Sequence, residues 1–249
     1  LFGVFMIKIK KYEDIEKEFF EGRPFDDVND VVVSVLDEVQ KKGDAALRIY
    51  GQKFDVAVPG VFEIPQEELQ SAAENLKINK REIYDALVYS HDLALRFAKE
   101  QRKSFADFET ELEPGIFTGQ KTIPVERAGC YVPAGRFPLL SSVIMTVTPA
   151  VAAGVGEVIM CTPPRVHPDD VPEASKSGAG VPGKAFVGGK PYADEGVMAA
   201  AYICGVNHLY AVGGSQAIGA MAYGTDSIPK VDVIVGPGNK YVATAKKLV

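Results

Sequence analysis

Apolar residues in the first part of the chain recur at the spacing of an α-helix. The clearest stripe repeats at i, i+4, i+7, i+8 and i+11 and is made of Val28, Val32, Val35, Leu36 and Val39. Such a stripe predicts an amphipathic helix with one buried face. Gly43 is placed to end this helix and Asp44 to cap a short successor. Pro65, followed by acidic residues, predicts a third helix, and a fourth is predicted over residues 80–101.

The pattern changes at about residue 105, where Pro114-Gly115 separates two extended-looking runs and predicts a hairpin or meander near 105–127. Strands and helices then alternate. Strands are predicted at 128–132, 157–161, 208–212 and 231–235, and helices at 142–153, 193–204, 215–223 and 240–249. Short β-branched strands alternating with helices predict an α/β fold, a Rossmann-like, doubly wound parallel sheet with helices on both faces. We therefore divide the chain into an N-terminal helical region, 1–127, and a Rossmann-like domain, 128–249.

One segment interrupts this alternation. Residues 165–191 are rich in Gly, Pro, Lys and Ser and are long for a connection in an α/β domain, so they form either a functional flap or a flexible insertion. Lys184 and Lys190 each follow a glycine, but neither is followed by the Ser or Thr of a phosphate-binding P-loop. A P-loop is not the preferred interpretation.

Charge and composition exclude several classes of function. The formal net charge is −6 and the pI is about 5.2, without a basic face for a nucleic acid. No uncharged apolar run is long enough for a membrane span. Three cysteines without CxxC spacing (Cys130, Cys161 and Cys204) favour a reduced, cytoplasmic protein. The histidines (His91, His167 and His208) lack metal-ligand spacing.

Three turns lie at predicted strand ends, where ligands bind in doubly wound sheets. Tyr131 belongs to the first, Gly213, Gly214 and Gln216 to the second, and Gly236, Gly238 and Asn239 to the third. Glycine permits positive φ and close approach of a ligand, and the helix that follows presents N–H groups suited to phosphate. Glycine also serves such turns for steric reasons alone, and no G-x-G-x-x-G fingerprint occurs at these turns. The residues by themselves indicate a polar cleft, either a nucleotide site or an ordinary set of turns.

The chain resembles the histidinol dehydrogenases. The resemblance rests on "VERAGCYVPAGRFPLLSSVIMTVTPAVAAGVGEVIMCTPP" (125–164), "YAVGGSQAIGAMAYGTDSIPKVDVIVGPGNKYVATAKKLV" (210–249) and "KKGDAALRIYGQKFD" (41–55). It implies a homodimeric, zinc- and NAD-dependent enzyme that oxidises L-histidinol through L-histidinaldehyde to L-histidine. The NAD contacts that it implies fall on Tyr131, Gln216 and Asn239.

The resemblance also has departures. Pro133-Ala134-Gly135 stands where the family has Pro-Gly-Gly, and "GRFPL" is similar to paralogues with other substrates. The family's zinc ligands and its acid/base pair lie in a C-terminal part without a counterpart here. We therefore expect an N-terminal fragment of an incomplete fold, with no catalytic or metal residue and no activity alone. The alternatives are a dehydrogenase for another small polar alcohol, such as a sulfonated diol, and a non-catalytic nucleotide-binding remnant.

Overall fold

The computed structural model describes residues 11–17, 19, 28–134, 137–171 and 185–249. Within these residues the α-helices are α1 (Asn29–Lys42), α2 (Asp44–Phe54), α3 (Gln66–Asn79), α4 (Arg81–Lys103), α5 (Leu140–Ala152), α6 (Glu195–Cys204), α7 (Gly214–Tyr223) and α8 (Lys240–Leu248). The strands are β1 (Ala57–Val58), β2 (Glu63–Ile64), β3 (Phe108–Glu113), β4 (Ile116–Gln120), β5 (Arg127–Tyr131), β6 (Glu157–Thr162), β7 (Phe186–Val187), β8 (His208–Ala211) and β9 (Val233–Val235). Short 3-10 turns cover Tyr12–Asp14 and Pro168–Asp170.

The central sheet has five strands in the order β2-β8-β6-β5-β9. The last four are mutually parallel, and each is followed by a helix, which confirms the predicted strand–helix alternation. β2 is antiparallel to β8, with Glu63 opposite Tyr210 and Ile64 opposite Leu209. This edge strand comes from the N-terminal region, where the sequence pattern predicted helices before the hairpin. It has only two residues, too few to produce a periodic signal.

Helices cover both faces of this sheet, so it has two hydrophobic cores. Strand β6 shows how the alternating side chains divide between them. Val158 and Met160 pack in the core formed with α3, α4, α5 and α6, whereas Ile159 and Cys161 pack in the core formed with α1, α2, α7 and α8. Helices from before residue 127 therefore pack on each face of the parallel strands. No helix among the described residues has both the length and the apolar character needed to cross a bilayer.

Two local contacts concern turns that the sequence singled out. Pro114 and Gly115 join β3 and β4 into the predicted antiparallel hairpin, and its residues are exposed. The prediction that Asp44 caps α2 is wrong. The helix begins at Asp44 itself, and its N-cap is Gly43, without a side-chain capping hydrogen bond. The Asp44 carboxylate instead accepts hydrogen bonds from the backbone N–H, at 3.3 Å, and the hydroxyl of Ser227. Asp44 thus ties α2 to the loop after α7.

The C-terminal end of the glycine-rich segment lies against β1. Phe186–Val187 pairs in parallel with Ala57–Val58, and the Gly60 amide donates to the Gly189 carbonyl at 3.1 Å. Lys190 Nζ lies 2.7 Å from Asp169 Oδ2. The middle of the segment, 172–184, and with it Lys184, falls outside the described residues.

Candidate functional site

A cavity of about 730 Å³ opens at the carboxyl ends of β5, β6 and β8, where a doubly wound sheet binds its ligands. Its polar lining consists of Asp55, Tyr131, Arg165, Ser215, Gln216 and Asn239. Aromatic, proline and small aliphatic residues form most of the remaining walls. All three side chains predicted for cofactor binding therefore border one cavity, although they come from three separate turns.

Tyr131 is the last residue of β5 and is buried against the helices α1, α2, α7 and α8. Its hydroxyl oxygen accepts a hydrogen bond from the backbone N–H of Gly214 at 3.0 Å. Burial raises the pKa of this phenol to about 12, so the side chain is neutral at physiological pH. Tyr131 thereby fixes the turn between β8 and α7.

Gln216 lies in the first turn of α7 and has 0% of its surface exposed. Its Nε2 donates to Asp55 Oδ2 at 3.2 Å, whereas its Oε1 has no hydrogen-bond partner. A buried acceptor left unpaired costs about 1–3 kcal/mol, so this oxygen favours a ligand that carries a donor. Gly214 has φ +67°, and a Cβ there would lie 2.6 Å from Gln216 Oε1. Glycine is therefore required at position 214 for the side-chain amide of Gln216 to lie over the turn.

Asp55 follows the end of α2, and the sequence pattern gave it no role. Its carboxylate accepts hydrogen bonds from Gln216 and from the backbone N–H of Gly213. Burial raises the pKa of Asp55 from 3.8 to about 7, although both hydrogen bonds act in the opposite direction. The sequence signal was weak, because an acidic residue just after a helix is normally a solvated end.

These contacts correct one expectation about the second turn. The sequence predicts that its N–H groups are free to meet a phosphate. In the structure the amides of Gly213 and Gly214 already donate to Asp55 and Tyr131. The beginning of α7 is therefore occupied in part by the protein's own acceptors.

Asn239 caps α8, since its Oδ1 accepts from the backbone N–H of Val242 at 3.1 Å. This contact leaves the side-chain NH₂ to donate into the cavity. Gly236 has φ +123°, and a Cβ there would overlap the carbonyl oxygen of Tyr131. A Cβ at Gly238 would likewise lie too close to Cγ1 of the Val242 side chain. Gly236 and Gly238 thus shape the wall that holds Asn239.

The loop after β5 completes the opposite wall. The guanidinium of Arg165 donates to the carbonyl oxygen of Ala134 at 2.7 Å, and Pro133 lines the cavity. Ala134, which stands where the family has glycine, is buried. Gly135 and Arg136, which come next in the sequence, fall outside the described residues.

The histidines and cysteines lie outside the cavity lining and make contacts within the fold. Across the described ranges, no three His, Cys, Asp or Glu side chains come together as metal ligands. Nδ1 of His91 lies 3.1 Å from Thr148, Nδ1 of His208 lies 2.6 Å from Glu63, and Nδ1 of His167 accepts from the Asp169 amide. The cysteines are buried free thiols, and burial raises the pKa of each.

The chain matches known proteins in both sequence and fold. The profile of the histidinol dehydrogenase family matches residues 21–189 and 179–249. A histidinol dehydrogenase from Methanosarcina mazei is 38% identical over 94% of this chain and 48% of its own length. A sulfopropanediol 3-dehydrogenase from Ruegeria pomeroyi is also 38% identical, over 89% of this chain and 45% of its own.

Among solved structures, histidinol dehydrogenase from Elizabethkingia anophelis superposes with a TM-score of 0.74 and 28% identity, over 91% of this chain and 46% of that one. The chain spans about half the length of the curated relatives it matches. The two segments of the family match overlap at residues 179–189, inside the glycine-rich segment. This chain belongs to the histidinol dehydrogenase family.

Proposed function

We propose that the whole protein is an NAD-linked dehydrogenase that oxidises L-histidinol through L-histidinaldehyde to L-histidine, and that this chain supplies its nucleotide side. The observation that carries the proposal is Gln216, a fully buried amide whose Oε1 is unpaired in a cavity shared with Tyr131 and Asn239. These are the positions at which the resemblance implies NAD contacts.

The chemistry of the cavity fits a nucleotide. Gln216 Oε1 accepts from a hydroxyl or amide donor, and the NH₂ of Asn239 donates to an oxygen acceptor. Phe54 and Tyr241 offer aromatic surface for a base. Bound NAD supplies the hydride acceptor, and the contribution of this chain is to hold and orient it.

Zinc is implied by the resemblance but does not fit the described part of this chain. His, Cys, Asp and Glu side chains form no ligand cluster there, and no step of the proposal for this chain involves a metal. We expect the purified 249-residue chain to bind NAD and to show no turnover of histidinol. NADH formation from histidinol by this chain alone would contradict the second expectation.

A second substrate has specific support. The sulfopropanediol 3-dehydrogenase is as similar to this chain as the histidinol dehydrogenases are. Steady-state turnover of L-histidinol and of a sulfonated propanediol by the full-length protein distinguishes the two substrates. A third possibility, a nucleotide-binding protein without catalysis, predicts turnover of neither alcohol together with retained NAD binding.

We also propose that the whole enzyme is a homodimer. A second cavity of about 680 Å³ is lined by apolar side chains of α4 and α5, including Leu93, Phe97 and Met145. Phe97 and Met145 are largely exposed there, as partner-covered residues are in an isolated subunit. Light scattering of the full-length protein tests the dimer.

Calorimetric titration with NAD tests the nucleotide proposal directly. Replacing Gln216 by Met removes the unpaired acceptor and keeps the volume, and we expect NAD affinity to fall by about tenfold or more. Gln70, an exposed residue of α3 bonded to Glu74, provides the matched control Gln70→Met. Absence of NAD binding to the unmodified chain would contradict the proposal.

A further inference from the structure

We infer that Asp55 and Gln216 together bind the ribose diol on the adenosine side of the nucleotide, and that the Asp55 carboxylate makes the cavity reject a ribose 2′-phosphate. The inference rests on the proposed function, because it identifies the group of NAD that meets these two residues. Asp55 is thus a specificity-determining residue that neither the motifs nor the comparisons identify.

The first argument is the balance of donors and acceptors. Gln216 Oε1 is an unpaired acceptor, and the adjacent carboxylate of Asp55 is acceptor-only when ionised. The Gly213 amide and Gln216 Nε2 use two of its roughly four acceptor positions. The pair therefore presents acceptors to the cavity and needs a ligand with neighbouring donors. The two hydroxyls of a ribose supply them, whereas a phosphate dianion supplies none.

The second argument concerns charge. Both hydrogen-bond donors to Asp55 are neutral amides, so they do not neutralise its charge. A 2′-phosphate would bring further negative charge next to this carboxylate in a partly enclosed cavity, where charges interact more strongly than in water. Repulsion between the two negative charges lowers the affinity for a nucleotide that carries a 2′-phosphate.

The third argument concerns the beginning of α7. A helix N-terminus usually attracts an anion. Here Asp55 already provides that anion, and the Gly213 and Gly214 amides donate to Asp55 and Tyr131. The position at which a phosphate would gain most is therefore filled by the protein itself.

The position of Phe54 agrees with a nucleoside at this end of the cavity. Phe54 precedes Asp55, lines the cavity and is 57% exposed. Its ring stacks on Tyr50, with centroids 5.8 Å apart, and this contact orients it. A base that packs on the free face of Phe54 brings its attached ribose next to Asp55.

The test measures the affinities of the purified chain for NAD, NADP and 2′-deoxyadenosine NAD by calorimetry at pH 8, above the pKa of Asp55 of about 7. The variant is Asp55→Asn, which keeps the size and one acceptor but removes the charge. Asp37→Asn, at an exposed residue of α1 paired with Lys41, is the control with the same charge change. We expect the unmodified chain to bind NADP and the deoxy analogue at least about tenfold more weakly than NAD.

In Asp55→Asn the ratio of NAD affinity to NADP affinity should fall by about fivefold or more, because NADP binds more tightly. The control Asp37→Asn should leave this ratio unchanged. Circular dichroism checks that the variant folds, and Asp55→Ser repeats the measurement if it does not. Equal NAD and NADP affinities in the unmodified chain, or an unchanged ratio in the folded variant, overturn the inference. If the unmodified chain does not bind NAD at all, the proposed function is overturned, and this inference with it.

Discussion

Asp55 and Gln216 lie 161 residues apart in the sequence, and their side chains meet at 3.2 Å, from Nε2 to Oδ2, in the wall of the cavity. The contact joins the end of α2 to the beginning of α7 and leaves Gln216 Oε1 buried without a hydrogen-bond partner. Burial raises the pKa of the Asp55 carboxyl to about 7, although its two amide donors act in the opposite direction. Several consequences of this pair and its neighbours are measurable.

The stability of the protein should depend on pH through Asp55. Its folded-state pKa of about 7 lies above the ordinary value of 3.8, so between these values the folded state binds more protons than the unfolded state. Stability therefore falls as pH rises from about 4 to about 7. The pKa difference of about three units, at about 1.4 kcal/mol per unit, makes the loss on the order of 4 kcal/mol.

Urea unfolding of the unmodified chain and Asp55→Asn at pH 5 and pH 8 measures this effect. The free energy of unfolding of the variant should exceed that of the unmodified chain by a margin that grows from pH 5 to pH 8. Tyr131 stays neutral over this range, since burial raises its pKa to about 12. Asp37→Asn controls for loss of one surface carboxylate. Parallel pH profiles for all three proteins would show that Asp55 ionises without cost.

Replacing Tyr131 by Phe should loosen the turn between β8 and α7. The hydroxyl accepts from the Gly214 amide at 3.0 Å, and its removal leaves a part-buried N–H without this partner. We expect the free energy of unfolding to fall by about 1–2 kcal/mol. NAD affinity should also fall, because the turn sets the position of Gln216. Tyr89→Phe, at an exposed position of α4, is the control, and calorimetry with thermal melts measures both quantities.

The strand–helix alternation could be predicted from the sequence because each unit carries its own local signals. β6 is a compact apolar run, and α7 begins at a glycine pair directly after a strand. β2 was missed, because a two-residue strand exists only through its pairing with β8. Helix spacing likewise predicted α1, but could not indicate which face of the sheet it covers.

Some residues of the candidate site could likewise be predicted from the sequence, and others could not. Tyr131, Gln216 and Asn239 could be selected because strand ends in a parallel sheet converge, whatever the remaining chain does. Asp55 could not be, since its role depends on a tertiary contact that places the end of α2 beneath Gly213. Whether an amide near the beginning of a helix is free or occupied likewise depends on such contacts, and the Gly214 amide is occupied by the hydroxyl of Tyr131.

Two substitutions of Asn239 should distinguish its role in helix capping from its role in ligand binding. Its Oδ1 caps α8 through the Val242 amide, while its NH₂ remains for a ligand. Asn239→Ala removes both, and should lower the free energy of unfolding by about 1 kcal/mol. Asn239→Ser restores a capping oxygen but not the NH₂, so its stability should be near that of the unmodified chain. Both variants should bind NAD more weakly by a similar factor. Normal NAD affinity in Asn239→Ser would restrict the residue to capping.

Gly236 should tolerate a side chain much less well than a glycine of similar conformation elsewhere. Gly236 has φ +123° and Gly115, in the hairpin turn, has φ +84°, so alanine is strained at both. At Gly115 a Cβ would meet nothing within 4 Å, whereas at Gly236 it would overlap the carbonyl oxygen of Tyr131. We expect Gly115→Ala to cost about 1 kcal/mol and Gly236→Ala about 3 kcal/mol or more, as measured by urea unfolding. Only Gly236→Ala should weaken NAD binding, because the loop that carries Asn239 must move away from β5. Equal costs at the two positions would mean that backbone conformation alone, and not the contact with Tyr131, requires glycine in this loop.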